Sequence, residues 1–445
     1  MKSVDVKSAA ITAGTQDDNS FAIAQQPIPR TGFMGRWAKS FVQGVLAQMT
    51  TGRIILEDKN ERQVFGQPLS ESGAEVLTAY IEVLSPQFYT DLVHGGSIGC
   101  GESYMQRHWS TPDLVALVRV IVLNMHVLDG VDGQRSLIKR LVTRILHRLN
   151  ANSREGSRRN ISAHYDLSNA FFASFLDPTM MYSAAIFPND NMSLHEASLN
   201  KLTHICERLQ LKATDHLLEI GTGWGSLAIH AAQHYGCRVT TTTLSRQQYE
   251  LAEQRIRDAG LQDRVNLLLK DYRDLEGHYD KLVSIEMIEA VGHDYYSSYF
   301  SKCSSLLKPE GLMLIQAITI SDQRYEQARH TVDFIQRYIF PGGCLPSNQV
   351  IARHVCEDTD MQIIGLEDIT RDYALTLERW RAAFLAQSQQ ILAQGFTPEF
   401  LRMWDYYLAY CQGGFMERVI HTAQVLIAKP LFRDTPRIEP RASRP

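Results

Sequence analysis

Leu218-Glu-Ile-Gly221-Thr-Gly223-Trp-Gly225 is the stretch that decides the fold class of this chain. Leu217 to Ile220 reads as a buried strand, three glycines follow at alternate positions, and Ser226 to His234 carries a helical pattern. Glycine suits a turn this tight, because the backbone must reverse and still let a ligand approach closely. Glycine-rich strand-to-helix turns are shared by many nucleotide-binding folds, but two details narrow the choice. The spacing is G-x-G-x-G rather than the G-x-G-x-x-G of dinucleotide binders. The next strand, Arg238 to Leu244, ends in a threonine run with no carboxylate to grip a ribose hydroxyl. NAD is thereby disfavoured. S-adenosylmethionine, which has no pyrophosphate, suits a closed glycine turn over its methionine part.

The alternation continues outward. Val265 to Leu269, Lys281 to Ile285 and Gly311 to Ile320 read as further strands, separated by helical patterns such as Gln247 to Ala259. Residues 161–430 are expected to form an α/β domain with a Rossmann-like, mostly parallel, doubly wound sheet and ligands at the carboxyl ends of its strands. Residues 31–130 read as a smaller α+β domain. Gly52 to Leu56 is β-like, Ala74 to Val83 helical, and Gly95-Gly96 and Gly99-x-Gly101 punctuate the approach to Glu102-Ser103-Tyr104 and Trp109. Residues 131–160 read as a connector, and residues 1–30 and 431–445 as unpacked tails.

Composition sets the exclusions. Hydrophobic residues at 44% and charged residues at 21% allow full cores, and a formal net charge of −4 gives no global field for nucleic acid. The seven cysteines include no C-x-x-C pair, which points to reduced thiols in the cytoplasm rather than zinc or redox sites. No H-E-x-x-H or comparable pair suggests a metal. No apolar region follows Lys2 and Lys7, and Leu114 to Leu128 is broken by Arg119, Asn124 and His126, so neither a signal peptide nor a membrane span is expected. Leu137, Ile138, Leu141, Val142, Ile145, Leu146 and Leu149 share one half of a helical wheel, and Arg135 through Asn160 holds eight basic residues against Glu155. That segment, Arg135 to Arg159, reads either as a solvated helix and linker or as a foothold on anionic lipid. Ser245-x-x-Gln248 and Ser193-x-x-Glu196 have capping-box spacing, the first with a cofactor role as its alternative.

Several motifs together resemble one family. His164 to Ser168 through Phe171-Phe172 to Leu176-Asp-Pro-Thr-Met-Met181-Tyr182-Ser183 is similar to the entrance segment of cyclopropane fatty-acyl-phospholipid synthases and mycolic acid methyltransferases. The same holds for Glu219 to Gly225, Lys270 to Leu275, Ile288 to His293 and Tyr338 to Ser347, while Gly99 to Trp109 resembles the N-terminal domain of the phospholipid-acting members. The resemblance implies a class I methyltransferase in which a cis double bond attacks the sulfonium methyl and a bound bicarbonate removes a proton before the ring closes. It places S-adenosylmethionine against Tyr182, Ser183, Gly221, Gly223, Gly225, Leu244, Gln248, Tyr272 and Arg273. It places bicarbonate against Glu289, the Ile318 N–H, Tyr373, Ala184 and Gln316. For Glu289 the plain alternative is an acid near a helix start. Ala184 and Gln316 stand where many relatives have cysteine and histidine; a main-chain contact survives the first change, and a glutamine NH2 can donate but not titrate. Cys411 matches a cysteine often marked as active-site in the family, although an alkene nucleophile leaves it only a wall to form.

The expected function is one-carbon transfer to unsaturated phospholipid acyl chains by an enzyme peripheral to the cytoplasmic membrane, with homodimerisation left open. The rivals are a C-methyltransferase making methyl- or methylene-branched chains, a lipid-binding scaffold without chemistry, and a methyltransferase for a soluble molecule.

Overall fold

The computed structural model describes residues 33–66, 76–127 and 167–433. Its N-terminal part runs α1 (Phe33–Leu46), β1 (Arg53–Asp58), β2 (Glu61–Phe65), β3 (Thr78–Val83), α2 (Gln87–Met105), β4 (Trp109–Ser110) and α3 (Leu114–Leu123). The strands make a sheet in the order β2-β1-β3-β4, parallel only between β1 and β3. The helical reading of Ala74 to Val83 is corrected here: Thr78–Val83 is a strand, with Ala79, Ile81 and Val83 buried and Tyr80 and Glu82 exposed. That period of two, in a run holding Thr, Tyr, Ile and Val, outweighs the helical spacing. The four glycines expected as punctuation lie inside α2. Gly96 alone kinks it, at φ +59° and ψ −133°. A Cβ on Gly101 would sit 2.5 Å from the Phe334 ring, so that glycine serves close packing rather than a turn.

The second part runs α4 (Asn169–Ala173), α5 (Leu194–Arg208), β5 (His216–Ile220), α6 (Ser226–His230), β6 (Arg238–Thr243), α7 (Arg246–Asp258), β7 (Val265–Leu269), β8 (Tyr279–Ile285), α8 (Tyr296–Leu306), β9 (Leu307–Ile320), α9 (Asp322–Ala328), α10 (Phe334–Tyr338), α11 (Asn348–Asp358), β10 (Gln362–Asp368), α12 (Thr370–Ala386), α13 (Ser388–Ala393), α14 (Pro398–Met416) and β11 (Ile420–Ala428). The sheet has the order β10-β11-β9-β8-β5-β6-β7. Strands β5 to β9 are mutually parallel, and β11 and β10 add an antiparallel edge. The five parallel strands agree with the sequence reading. From β5 the chain builds β6 and β7 on one side, then returns to build β8 and β9 on the other. The carboxyl ends of β5 and β8 therefore flank the switch point where such sheets bind ligands.

One hydrophobic core joins both parts, from Ala38, Ile54 and Trp109 to Trp380, Trp404 and Phe415. The junction is built on α14. Arg402 stacks 3.8 Å over the Tyr104 ring and donates to the carbonyls of Tyr104 and Trp109. Asp405 accepts from the Tyr104 hydroxyl at 2.9 Å and from Arg381 at 2.6 Å. The connector helix proposed for Arg135 to Leu149, the segment from His164 to Asp166, residues 1–30 and residues 434–445 fall outside the described residues. The start of the C-terminal tail, expected to be unpacked, is docked: Phe432 is half-buried against the core and the Leu431 N–H donates to Pro309 O. No described helix is long and apolar enough to cross a membrane.

Candidate active site

The glycine turn leaves β5 with three left-handed residues, Gly221 at φ +101°, Gly223 at +53° and Gly225 at +88°. The N–H groups of Gly221 and Thr222 both donate to Thr242 O on β6, which holds the turn against the sheet. A Cβ built on Gly223 would meet nothing within 4 Å, so the turn presents bare backbone to open space. That cradle fits the methionine part of S-adenosylmethionine. Beneath it Glu219 is fully buried; Thr241 donates to it at 2.5 Å, and burial pushes its carboxyl up to about 8.

The segment preceding α5 is tied to this turn. Arg255 of α7 donates to Thr179 O, Trp224 O and Ser226 Oγ. Trp224 donates to Asn169 and packs 5.1 Å from Phe172. Tyr182 lies among Phe172, Trp380 and Phe340, its hydroxyl 2.9 Å from that of Tyr407. Beyond Tyr182 the backbone is clamped by side chains: the Ala185 N–H donates to Thr376 Oγ1 and the Phe187 N–H to Asp372. No strand neighbour serves these groups, so side-chain acceptors must.

The expected anion donors converge on a carboxylate that the sequence reading passed over. Glu286 is the first residue past β8. Its Oε1 accepts from the Ala184 N–H at 2.8 Å and from Gln316 Nε2 at 2.8 Å, and its Oε2 from the Tyr373 hydroxyl at 2.8 Å. Gln316 is oriented by Gln424, whose amide donates to its carbonyl at 2.9 Å. Glu286 sits at φ +47°, a left-handed conformation that costs a non-glycine residue about 1–2 kcal/mol. Burial raises its carboxyl pKa, while the Gln316 amide, the Ala184 N–H, Lys201 and Tyr373 oppose the rise. Three of the five groups expected to contact bicarbonate thus hold a carboxylate of the chain, and a second anion there would face that charge at close range.

Glu289 follows one short turn later. Its Oε1 accepts from the Ile318 N–H at 2.5 Å, an amide expected to contact bicarbonate, while its Oε2 is buried without a partner. Burial and the neighbouring Glu286 push Glu289 up to about 8, so at neutral pH it is mainly the neutral acid. Such an orphaned oxygen costs about 1–3 kcal/mol and marks a place that a bound molecule completes. The loop that carries the two acids lies against the glycine turn: Met287, between them, is 3.5 Å from where a Gly221 Cβ would be. The Cys344 N–H donates to Glu289 O, which fixes the Pro-Gly-Gly-Cys turn against this loop.

The remaining expectations divide. Ser183 accepts from Lys201 Nζ at 2.7 Å. Ser193 and Glu196 form a complete capping box. Ser245 caps α7 by accepting from the Gln248 N–H, but the Gln248 side chain accepts from Thr243 instead of returning to Ser245. Leu244 is half-buried beside them. Arg273 turns back onto Asp271 at 2.9 and 2.7 Å, and Tyr272 meets Tyr299 edge-on. Cys411 is half-buried against the apolar core, and burial drives its thiol far up, so no thiolate nucleophile forms there. Ile318, Ile335, Phe340 and Cys411 all keep partial exposure while packed on that core, and Ile318 adjoins Glu289 through its N–H. No group of described residues could hold a metal ion.

Comparison with known proteins decides the family. The family model described as mycolic acid cyclopropane synthetase matches residues 152–425. The chain belongs to the cyclopropane synthase family of S-adenosylmethionine-dependent methyltransferases. It is 40% identical over 338 residues to the tuberculostearic acid methyltransferase UfaA1 of Mycobacterium tuberculosis, covering 72% of this chain and 76% of that one. It is 35% identical over 385 residues to the cyclopropane-fatty-acyl-phospholipid synthase of Escherichia coli K12, covering 84% and 95%. The mycolic acid cyclopropane synthase CmaA1, solved with SAH and CTAB, aligns with a TM-score of 0.58 at 31% identity, over 61% of this chain and 98% of that one. Within this family of methyltransferases, the glycine turn and the entrance segment accord with a sulfonium donor.

Proposed function

We propose that this enzyme adds one carbon from S-adenosylmethionine across the cis double bond of an unsaturated phospholipid acyl chain, closing a cyclopropane, with Glu286 as the base. The observation that carries this is the Glu286 carboxylate, held by Ala184, Gln316 and Tyr373 where the family resemblance implied bicarbonate.

When bound, the donor supplies an electrophilic methyl group. The glycine turn, with Ser183, Gln248 and Tyr182, would hold it, and the apolar side chains around Phe340 and Ile318 would seat the acyl chain. Alkene attack on that methyl would form one C–C bond as the methyl–sulfur bond breaks, its electron pair leaving with S-adenosylhomocysteine and a positive charge remaining on the acyl chain. The π faces of Tyr182 and Tyr373 and the Glu286 carboxylate stabilise that charge. Glu286 then takes a proton from the new methyl group, and the C–H electron pair closes the ring onto the cationic carbon. Tyr373, kept protonated by burial and by Glu286, remains a hydrogen-bond donor throughout.

A second reading is a methyl- or methylene-branched product, and the relative at 40% identity is named a tuberculostearic acid methyltransferase. The methylene branch needs the same base and the same loss of one proton, taken from a different carbon; the methyl branch needs reduction by a partner as well. We further propose that the basic segment from Arg135 to Arg159 attaches the enzyme to anionic lipid, an attraction that added salt weakens. The test is proton NMR of lipid extracted from vesicles of monounsaturated anionic phospholipid after incubation with enzyme and donor. Upfield cyclopropane protons are expected; new olefinic methylene signals would select the second reading. Unaltered lipid would overturn both.

A further inference from the structure

Lys201, on the inner face of α5, is the one lysine of the described residues with no solvent exposure at all, and it forms no ion pair among them. Its ammonium donates to Ser183 Oγ at 2.7 Å. The residue after Ser183 is Ala184, whose N–H holds Glu286 at 2.8 Å and whose carbonyl accepts from Gln316 at 3.2 Å. An unpaired ammonium in a dry interior is costly, and a methionine of similar length would fill the same space without that cost. Stability gives no reason to keep a lysine there.

Three carboxylates act on Lys201, in the order Glu286, Asp177 and Glu219. Asp177 is already satisfied by Thr179, Ser198 and His195. Glu219 is held up near 8 by burial and is mostly neutral. That leaves Glu286 as the anion Lys201 chiefly compensates. Around Glu286 the other groups are Glu289 on its own loop, Gln316 on β9, Tyr373 on α12 and Tyr407 on α14. None of them carries positive charge.

We propose that Lys201 is a positioning residue for the base: through Ser183 it fixes the peptide that holds Glu286, and its buried charge keeps that carboxylate ionised. The inference rests on the reading of Glu286 as the base.

The test follows protonation of Glu286 directly. Infrared difference spectra of each protein against its Glu286→Gln counterpart give the protonated-carboxyl band as a function of pH. In Lys201→Met the midpoint is expected to rise by about one pH unit or more, because removal of a nearby cation favours the neutral acid. The acid limb of kcat should move with it. Ser183→Ala keeps the charge and loses the anchor, so at saturating donor it should lower kcat evenly across pH without moving that limb. Lys201→Met should melt no lower than the parent protein. An unmoved midpoint, or a variant that fails to fold, would overturn the proposal. Full activity in Glu286→Gln alone would instead remove the base assignment on which it stands.

Discussion

The Ala184 N–H donates to Glu286 Oε1 at 2.8 Å, joining the entrance segment to the end of a central strand across 102 residues of sequence. With Gln316 and Tyr373 this contact makes a three-donor socket, and the chain supplies the anion that fills it. A base fixed this way costs no diffusion or binding step, but it places two acids side by side. Glu289 answers by staying protonated near neutrality.

Replacing the base should separate chemistry from binding. Glu286→Gln keeps the shape and loses the proton acceptor, so turnover is expected to fall by about 10²–10⁴-fold. Affinity for S-adenosylhomocysteine by calorimetry should stay within a few-fold. Glu286→Gly frees all three donors for a small anion, and added bicarbonate should restore part of its rate. No rescue would mean that the socket does not bind an exogenous base.

Gly223→Ala tests the donor cradle. A side chain at φ +53° costs about 1–2 kcal/mol and enters the open space above the turn. Calorimetry should show S-adenosylhomocysteine binding weakened by about tenfold or more with only this modest loss of stability. Unchanged affinity would place the donor elsewhere.

Cys411→Ser should retain kcat within a few-fold, since burial keeps this thiol protonated and no step uses a protein nucleophile. A loss comparable to that of Glu286→Gln would show that Cys411 does more than line the site.

The acid pair also gives stability a pH signature. Glu289 is raised from 4.5 to about 8 in the folded state, so between those values the folded chain binds more protons than the unfolded one. Stability should therefore fall as pH rises from about 4.5 to about 8, and level off above. Thermal melts of Glu289→Gln should lack this component of the slope. Parallel pH profiles for the two proteins would show that Glu289 is not buried as an acid.

Much of this was legible in the chain. The five parallel strands carry β-branched or leucine-rich runs between glycine turns, and long periodic segments report their structure well. Glu289, Ile318, Tyr373, Gln316 and Ala184 do meet in one place. Glu286 was missed because a lone acid after Val283-Ser-Ile285 looks like a loop residue until the pairing of Ile285 with Gln316 brings it within hydrogen-bond reach of Gln316 and Ala184. Its one advance signal was position, a carboxylate immediately past a strand of a doubly wound sheet. Lys201 shows no sign at all in a helix rich in polar residues, since only tertiary packing makes it buried. The helical reading of Ala74 to Val83 failed for a related reason: alternation and helical spacing overlap in so short a run, and sheet pairing with β1 decided the outcome.

The most direct measurement is turnover on unsaturated phospholipid vesicles in buffer stripped of carbon dioxide, with and without added bicarbonate. An internal carboxylate base predicts the same rate in both. A rate that collapses on stripping and returns with bicarbonate would contradict the assignment of Glu286.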